Sequence, residues 1–314
     1  MKLSVLTAED FERKYSKSER QVYNTAAFAA LNAAKVDEVL YFDIKGSECS
    51  LGIIFGKKDG RISSPFSAPF GGFVANGVAG LTNVTEALGL IREYASENAL
   101  DVEIMLPPEF YAQSLTALTA FAAPLAGFRL GRDEVNYHIP TAPDCYADTL
   151  TRTGRKNLNN ALIQGFTIDS SATCKDALAN AYSIIAENRR EHGYALRMSL
   201  DDLRHMGELV DIDVFIVKKV TTEIASAIVY RHSPKIAQVI YWGDLKEYRH
   251  LRPMNFLAYM LHKHYHDIGL KVLDIGPAST DGVPNEGLCS FKESIGCVAT
   301  LKHSILYTHT DDDK

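Results

Sequence analysis

The chain has 314 residues, of which 46% are hydrophobic and 23% charged, a balance typical of a globular protein with room for two domains. Its formal net charge is -6, which argues against a large nucleic-acid footprint, because proteins that bind phosphates over a wide surface are usually basic. No apolar run reaches the roughly 18 residues of a membrane span, and Met1–Leu6 is too short for the core of a signal peptide.

The cysteines are dispersed and odd in number, with no Cys-x-x-Cys pair: Cys49, Cys145, Cys174, Cys289 and Cys297. This pattern is typical of reduced thiols rather than of a disulfide framework or a zinc site. Together with the composition, it predicts a cytoplasmic protein without a membrane span.

The first part of the chain alternates strands and helices. Short apolar runs predict strands over residues 39–42, 51–55, 102–106 and 135–139. A polar stretch near residues 10–20 and helical spacing from about residue 85 and over 115–121 predict helices. Because Pro140 ends the last strand and a turn-rich segment follows, we predict a first lobe over residues 1–143.

The second part, residues 144–314, predicts a longer series of elements. Helices are expected over 154–164, 178–192, from a capping box at Ser199, and over 253–267 and 285–294. Strands are expected over 166–168, 214–217, 224–230, 236–242, 272–275 and 300–307. The short turns between the three middle strands predict an antiparallel meander that leads into a βαβ-like unit, an α+β architecture. The first lobe repeats part of this order, which suggests an internal duplication.

This element order resembles the GNAT fold of acyl-CoA N-acyltransferases, here as two tandem GNAT-like lobes. The segment Asn285–Gly296 (NEGLCSFKESIG), together with Tyr241–Asp244 and Leu273–Gly276, resembles the FemAB family of peptidoglycan-bridge aminoacyltransferases. The resemblance implies an N-acyltransferase that moves an acyl or aminoacyl group to an amine of a small molecule or peptide. It also implies that the second lobe carries the active site and that the first lobe is a degenerate copy.

Two departures from the family pattern concern the donor. The glycine-rich loop that binds the CoA pyrophosphate at a helix N-terminus is missing from residues 246–254, where Arg249 and Arg252 are the candidate anion-binding side chains. The long helical arm of tRNA-dependent FemAB enzymes is missing too, and the net charge does not favour aminoacyl-tRNA. The donor, acyl-CoA or aminoacyl-tRNA, therefore stays open.

Lys292 and Asp274 are the candidate catalytic residues. In the FemAB family the lysine that matches Lys292 lies at the reaction centre, where an ammonium would neutralise charge on the oxyanion or on a donor phosphate. The alternative for Lys292 is an exposed lysine on a helix. Asp274 ends a buried strand, where open α/β sheets bind ligands, and would orient the amine. Its alternative is a carboxylate that stabilises a turn.

The candidate substrate-binding residues are aromatic or basic: Tyr230, Tyr241, Trp242, Phe291 and Arg155. Aromatic side chains on strands usually belong to the core, and an arginine on a polar helix usually faces solvent. Two histidines four residues apart, His262 and His266, share a helix face, but no third ligand accompanies them, so we predict no metal site.

Two rival functions remain at this point. One is an acetyl-CoA-dependent GNAT N-acetyltransferase of a small amine. The other is a non-catalytic binding protein that kept the fold, which the missing glycine loop favours. We take an open V between the strand 224–230 and the strand 272–275 as the feature that would favour an enzyme.

Overall fold

The computed structural model describes residues 1–142, 145–170 and 175–310. The chain divides into two compact units, one formed by Met1–Glu134 with the segment from Leu301, the other by Val135–Thr300. Pro143 and Asp144 of the predicted boundary, Cys174, and the terminal residues 311–314 lie outside the described residues. The four described cysteines are free thiols.

The first unit is built on one mixed sheet. Its elements are β1 (Lys2–Leu6), α1 (Ala8–Tyr15), α2 (Ala26–Asn32), β2 (Glu38–Lys45), β3 (Ser50–Lys58), β4 (Arg61–Ser64), β5 (Val74–Asn76), α3 (Leu81–Glu97), β6 (Asp101–Met105), α4 (Gln113–Leu125) and β7 (Arg129–Leu130). The strands β1, β2, β3 and β4 are successive antiparallel neighbours, whereas β4 and β6 pair in parallel. The strands predicted over residues 39–42, 51–55 and 102–106 correspond to β2, β3 and β6, whereas β1, β4, β5 and β7 were not predicted.

The second unit is built on a sheet of the same kind. Its elements are β8 (Glu134–Pro140), α5 (Tyr146–Thr149), α6 (Arg152–Leu162), β9 (Phe166–Ser170), α7 (Lys175–His192), α8 (Leu200–Met206), β10 (Asp211–Lys219), β11 (Thr222–Arg231), β12 (Ile236–Asp244), α9 (Pro253–Asp267), β13 (Val272–Pro277), β14 (Ser279–Thr280), β15 (Val283–Pro284), α10 (Glu286–Ser294) and β16 (Val298–Lys302). The strand that follows, β17 (Ser304–Tyr307), belongs to the first unit. The predicted meander β10–β11–β12 and the parallel pair β12–β13 are confirmed.

The two sheets have the same strand order. The first runs β1-β2-β3-β4-β6-β17-β7 and the second runs β9-β10-β11-β12-β13-β8-β16. The duplication predicted from element order is therefore visible in the topology. In each sheet, one further strand pairs with the second strand of the parallel pair. In the first sheet this strand is β17, which pairs with β6, and in the second sheet it is β8, which pairs with β13.

This exchange moves two strands from the lobes to which the sequence assigned them. The strand 135–139 was expected to close the first lobe, and residues 300–307 to close the second. Residues 300–307 were also predicted as one strand, whereas the structure has two: β16 ends at Lys302 in the second sheet, and β17 begins at Ser304 in the first. Alternating apolar residues mark a strand, but its partner depends on distant contacts, here the register Ser304↔Met105.

Helices cover both faces of the second sheet. On one face, α6 and α9 bury a core that includes Leu158, Phe256, Leu257 and Leu261. On the other face, α7 packs on β10, β11 and β12. The capping box predicted at Ser199 is present, since Ser199 and Asp202 exchange hydrogen bonds at the start of α8. This arrangement leaves the ends of β12 and β13 next to α10.

No helix within the described ranges is long and apolar enough to cross a bilayer. In the same ranges, no group of three or more His, Cys, Asp or Glu side chains is arranged to hold a metal ion. His262 and His266 stack on each other with ring centroids 5.9 Å apart, and His266 Nδ1 lies 2.8 Å from the carbonyl oxygen of Thr141.

Candidate active site in the second unit

The strands β12 and β13 separate soon after they pair. Their parallel register covers Ile236↔Val272, Ala237↔Leu273 and Gln238↔Asp274, after which both strands continue without pairing to each other. The predicted V between the strand 224–230 and the strand 272–275 is therefore wrong, because β12 lies between β11 and β13; the separation is between β12 and β13. We call this separation the fork.

A β-bulge lies on the β12 side of the fork. In the pairing of β11 with β12, Ile228 is opposite Tyr241 whereas Val229 is opposite Val239, so Ile240 is an extra residue. A bulge disrupts the local ladder and redirects backbone groups, which makes it a source of N–H donors that the sheet does not use. Such donors are what an oxyanion needs during acyl transfer.

Lys292 lies at the other side of the fork and is only 2% exposed. Its ammonium donates to three successive carbonyl oxygens of β13, those of Ile275 at 3.2 Å, Gly276 at 2.8 Å and Pro277 at 2.9 Å. The alternative of an exposed helical lysine is therefore wrong. These three hydrogen bonds fix the ammonium at the end of β13. Lys292 thus brings a fixed positive charge to the fork.

Burial lowers the pKa of Lys292 to about 8, and the charge of Arg189 acts in the same direction, whereas Cys297 and Asp274 raise it. The unfolded lysine has its ordinary pKa of 10.5, so between these values the unfolded chain binds more protons than the folded one. Stability from this group must therefore rise with pH in that window. We expect the difference in unfolding free energy between wild type and Lys292→Met to grow by up to about 1.4 kcal/mol per pH unit there. Denaturant titrations from pH 8 upwards measure it, and a flat difference would contradict the low pKa.

Asp274 is completely buried beside the fork. Its carboxylate accepts hydrogen bonds from Asn136 Nδ2 at 2.8 Å, Gln238 Nε2 at 3.0 Å and the backbone N–H of Gly276 at 2.9 Å. Gly276 adopts φ 80°, which favours glycine and lets its N–H turn back onto the carboxylate. These contacts are those of the turn-stabilising alternative. Whether Asp274 also orients an amine stays a prediction.

A relay of side chains extends from Asp274 to a histidine. Because Gln238 donates through Nε2 to Asp274, its Oε1 is the acceptor for His232 Nε2 at 2.9 Å. Burial lowers the pKa of His232, which keeps the ring neutral in this network. The predicted pair Lys292 and Asp274 is therefore close in space and electrostatically coupled, each with its own set of protein partners.

The predicted aromatic residues separate onto two faces of the sheet. Trp242 and Phe291 pack on each other with centroids 5.9 Å apart, at the margin of the core under α9. Tyr230 and Tyr241 lie on the α7 face, where the hydroxyl of Tyr230 is buried and has no hydrogen-bond partner in the described ranges. Burial and the neighbouring Tyr241 raise the pKa of Tyr230. The two faces follow from the alternation of side chains along β12.

Arg189 is the residue that the sequence did not single out. It lies on the last turn of α7, and its guanidinium carbon is 5.8 Å from the ring centroid of Tyr241 and 5.8 Å from that of Tyr194. Tyr194 is tied to the start of α10, because its hydroxyl accepts a hydrogen bond from Asn285 Nδ2 at 3.1 Å. The sequence marks Arg189 only as a cation in the last turn of a helix, where cations are common.

Arg155 is exposed on α6, as the solvent-facing alternative implies. A cavity of about 490 Å³ lies along this face and is lined by Arg152, Arg155, Lys156, Asn159 and Asn160. None of its three cations forms an ion pair within the described residues. The helix packs against the end of α10 at Gly154, where a Cβ would lie 1.7 Å from the carbonyl oxygen of Ser294. This unpaired basic face therefore adjoins the helix that carries Lys292.

The segment between β12 and α9 does not fit a CoA pyrophosphate. Arg249 already pairs with Asp244 at 3.2 Å and with Glu191 at 3.3 Å. The segment Lys246–Leu251 is a 3-10 helix, so backbone N–H groups such as those of Tyr248 and Arg252 bond within the turn. Pro253, the first residue of α9, has no N–H. Of the two predicted cofactor-binding residues, only Arg252 is an exposed cation without an ion pair in the described part of the chain, and we derive no step through CoA.

No family model matches the chain, and no curated protein sequence does so either. Solved structures do match. FemX aligns with a TM-score of 0.68 at 13% identity, over 98% of this chain and 97% of that one. The C-terminal domain of a provisionally named lysylphosphatidylglycerol synthetase from Agrobacterium fabrum aligns with a TM-score of 0.60 at 14% identity, over 97% and 93%.

A third structure, L-PGS from Bacillus licheniformis, aligns with a TM-score of 0.55 at 14% identity, over 95% of this chain and 90% of that one. Identities this low establish the fold and leave substrates open. The resemblance predicted from the segment around Lys292 and from the order of elements is confirmed at this level. The chain has the two-lobed, GNAT-type fold of FemX.

Proposed function

We propose that the second unit catalyses transfer of an acyl or aminoacyl group to an amine, with the fork between β12 and β13 as the reaction site. The observation that carries this proposal is the fork itself, because it combines a bulge at Ile240 with a fixed positive charge at Lys292. Both features favour a tetrahedral intermediate with a negatively charged oxygen over its neutral precursor.

In this proposal a neutral amine attacks the carbonyl carbon of the donor. The new C–N bond forms, the carbonyl oxygen becomes an oxyanion, and the bond to the leaving oxygen then breaks. The proton that the amine loses balances the one that the leaving oxygen gains. Lys292 acts through its charge and by holding Ile275–Pro277 apart from β12, since its three donors are already engaged. Asp274 positions the same strand end through Gly276.

The acyl donor that the local positive charges of α6 support best is an ester on a polyanionic carrier, such as aminoacyl-tRNA. The basic face of α6, formed by Arg152, Arg155 and Lys156, has the unpaired cations that a phosphate backbone needs. It is small, which agrees with the acidic net charge of the whole chain. An acyl-CoA donor lacks a comparable site around Arg249.

A donor panel tests the proposed activity directly. Wild-type protein is incubated with tRNA charged with a radiolabelled amino acid mixture, or with labelled acetyl-CoA, and with a panel of amines. Base-stable labelled amide formed from charged tRNA supports the proposal, whereas amide formed only from acetyl-CoA supports the acetyltransferase. Absence of product with both donors, from protein shown to be folded, overturns the proposal and favours the non-catalytic binding protein.

Charge reversal on α6 tests the proposed contact between this helix and the donor. In the variant R152E/R155E/K156E, we expect the KM for charged tRNA to rise about tenfold or more, because phosphate contacts supply most non-specific affinity. The dependence of log KM on log salt should also become shallower by about two units, at about 0.7 per lost contact. Lys263→Glu, a reversal at an exposed lysine of α9, is the control and should leave KM unchanged. An unchanged salt slope in the triple variant would remove α6 from donor binding.

A further inference from the structure

Arg189 is a half-buried cation for which the described residues supply no anion. Its Nε is buried and has no hydrogen-bond partner among them. Within the described residues it forms no ion pair. Two glutamates lie two positions before and after it in the sequence of α7. Glu187 pairs with Arg190 and Glu191 pairs with Arg249. The local acids are therefore committed to other arginines.

Leaving such a group unpaired costs free energy, because burial removes water without supplying a partner. The structure nevertheless holds the guanidinium in a fixed place, over the rings of Tyr194 and Tyr241. Tyr194 is held by a hydrogen bond from Asn285, and the hydroxyl of Tyr241 accepts hydrogen bonds from the backbone N–H groups of Met198 and Arg197. Two anchored rings are a means of pre-orienting an arginine for a ligand.

A second unsatisfied polar group lies nearby on the same sheet face. Tyr230 is 1% exposed, and its hydroxyl is buried without a partner in the described part of the chain. Its electrostatic neighbours are Tyr241 and the carboxylate of Asp202, and Tyr241 in turn interacts with Arg189. Two donors to which the described residues offer no acceptor, on one face and beside the fork, have the complementary chemistry of a single anion.

We propose that Arg189 and Tyr230 form a carboxylate subsite, so that the amine acceptor is an amino acid or a short peptide with a free carboxylate. Naming this ligand as the acceptor rests on the proposed transferase, whereas the subsite itself does not. The Nε–H and the neighbouring Nη–H of a guanidinium form a planar edge that matches the two oxygens of a carboxylate. A phosphate dianion would call for a second free cation, and the ammonium of Lys292 has all three donors on carbonyls.

Binding of matched acids and amides tests the subsite without any donor. Ligand-observed NMR is run with the twenty free amino acids, with their carboxamides, and with inorganic phosphate. We expect at least one free acid to bind, its carboxamide to bind roughly tenfold or more weakly, and phosphate not to compete. A charge-assisted pair of this kind corresponds to roughly a 10- to 100-fold change in affinity.

Three variants assign the effect to its residues. Arg189→Met should lose that whole factor, and Tyr230→Phe, which removes only the hydroxyl, should lose a smaller part. Arg190→Met is the matched control, because Arg190 is the next residue on α7 and its partner is Glu187. Unfolding midpoints within a few degrees of wild type are required of each variant, and Arg189→Lys, which keeps the charge without the planar edge, substitutes for Arg189→Met where that variant unfolds.

The subsite is overturned if no free acid binds, if acid and carboxamide bind equally, if phosphate binds at least as well, or if affinity survives in both Arg189 variants. Its failure is separable from that of the transferase. Acyl transfer to amines that lack a carboxylate, with kcat/KM equal to that of amino acids, removes the subsite and keeps the activity. Acid binding that depends on Arg189, without transfer from any donor, removes the activity and keeps the subsite.

Discussion

Replacing Lys292 with Met is expected to lower the free energy of unfolding by about 3 kcal/mol. The substitution removes three hydrogen bonds to successive carbonyls of β13, and the loss of each at a buried acceptor costs about 1 kcal/mol or more. It also removes a positive charge that is electrostatically coupled to the buried Asp274. Relief of the desolvated ammonium offsets part of the loss. Urea denaturation at pH 7 measures the difference.

Lys263→Met is the control for this experiment. Lys263 is an exposed lysine of the same unit and pairs with Asp267 at 2.8 Å on α9, so its loss should cost less than about 0.5 kcal/mol. A similarly small loss for Lys292→Met would mean that the carbonyls of Ile275–Pro277 readily find other donors. As the contacts stand, activity has to be measured on the folded fraction.

Gly154→Ala is expected to destabilise the second unit by about 3 kcal/mol, at the upper end of overpacking effects. A Cβ at Gly154 would lie 1.7 Å from the carbonyl oxygen of Ser294 and 2.8 Å from its carbonyl carbon. Both atoms belong to the backbone at the end of α10, so no side-chain rotation relieves the overlap. The helices α6 and α10 must separate, which also displaces Lys292. Thermal and urea unfolding measure the loss.

Gly287→Ala provides the opposite result in the same unit. Gly287 lies in α10, and a Cβ there would meet only Asn285 Oδ1, at an ordinary contact distance of 3.6 Å. Alanine is better than glycine in a helix by about 0.5–1 kcal/mol, so a small gain in stability is expected. If Gly154→Ala behaved like Gly287→Ala, the close approach of α6 to α10 would not exist in solution.

Local patterns in the sequence were sufficient to predict most of the second unit. Pro253 and the apolar spacing that follows predict α9 with the bounds that the structure has, and the Ser199 capping box marks the start of α8. The meander followed because short turns leave antiparallel pairing as the simplest connection. Partners far apart in the chain were not predicted, since nothing local in residues 135–139 distinguishes β13 from β6 as the neighbour.

The candidate site divides in the same way. Lys292 was found through a motif, and the structure adds that its donors are occupied, which no motif encodes. Arg189 was missed because its distinction is a missing partner. An arginine among Glu and Arg residues is typical of an exposed helix face. Only the structure shows that Glu187 and Glu191 form ion pairs with other arginines, Arg190 and Arg249. Absent contacts leave no mark in the sequence.

The exchange of β8 and β17 bears on the order in which the chain completes its parts during synthesis. Synthesis up to residue 300 supplies every strand of the second sheet except the end of β16. The second unit can therefore fold as soon as this part of the chain has left the ribosome. The first sheet lacks its strand between β6 and β7 until residues 304–307 emerge. Domains usually fold from the N-terminus as the ribosome releases them. Here the first sheet is completed only after the second, because it needs residues 304–307.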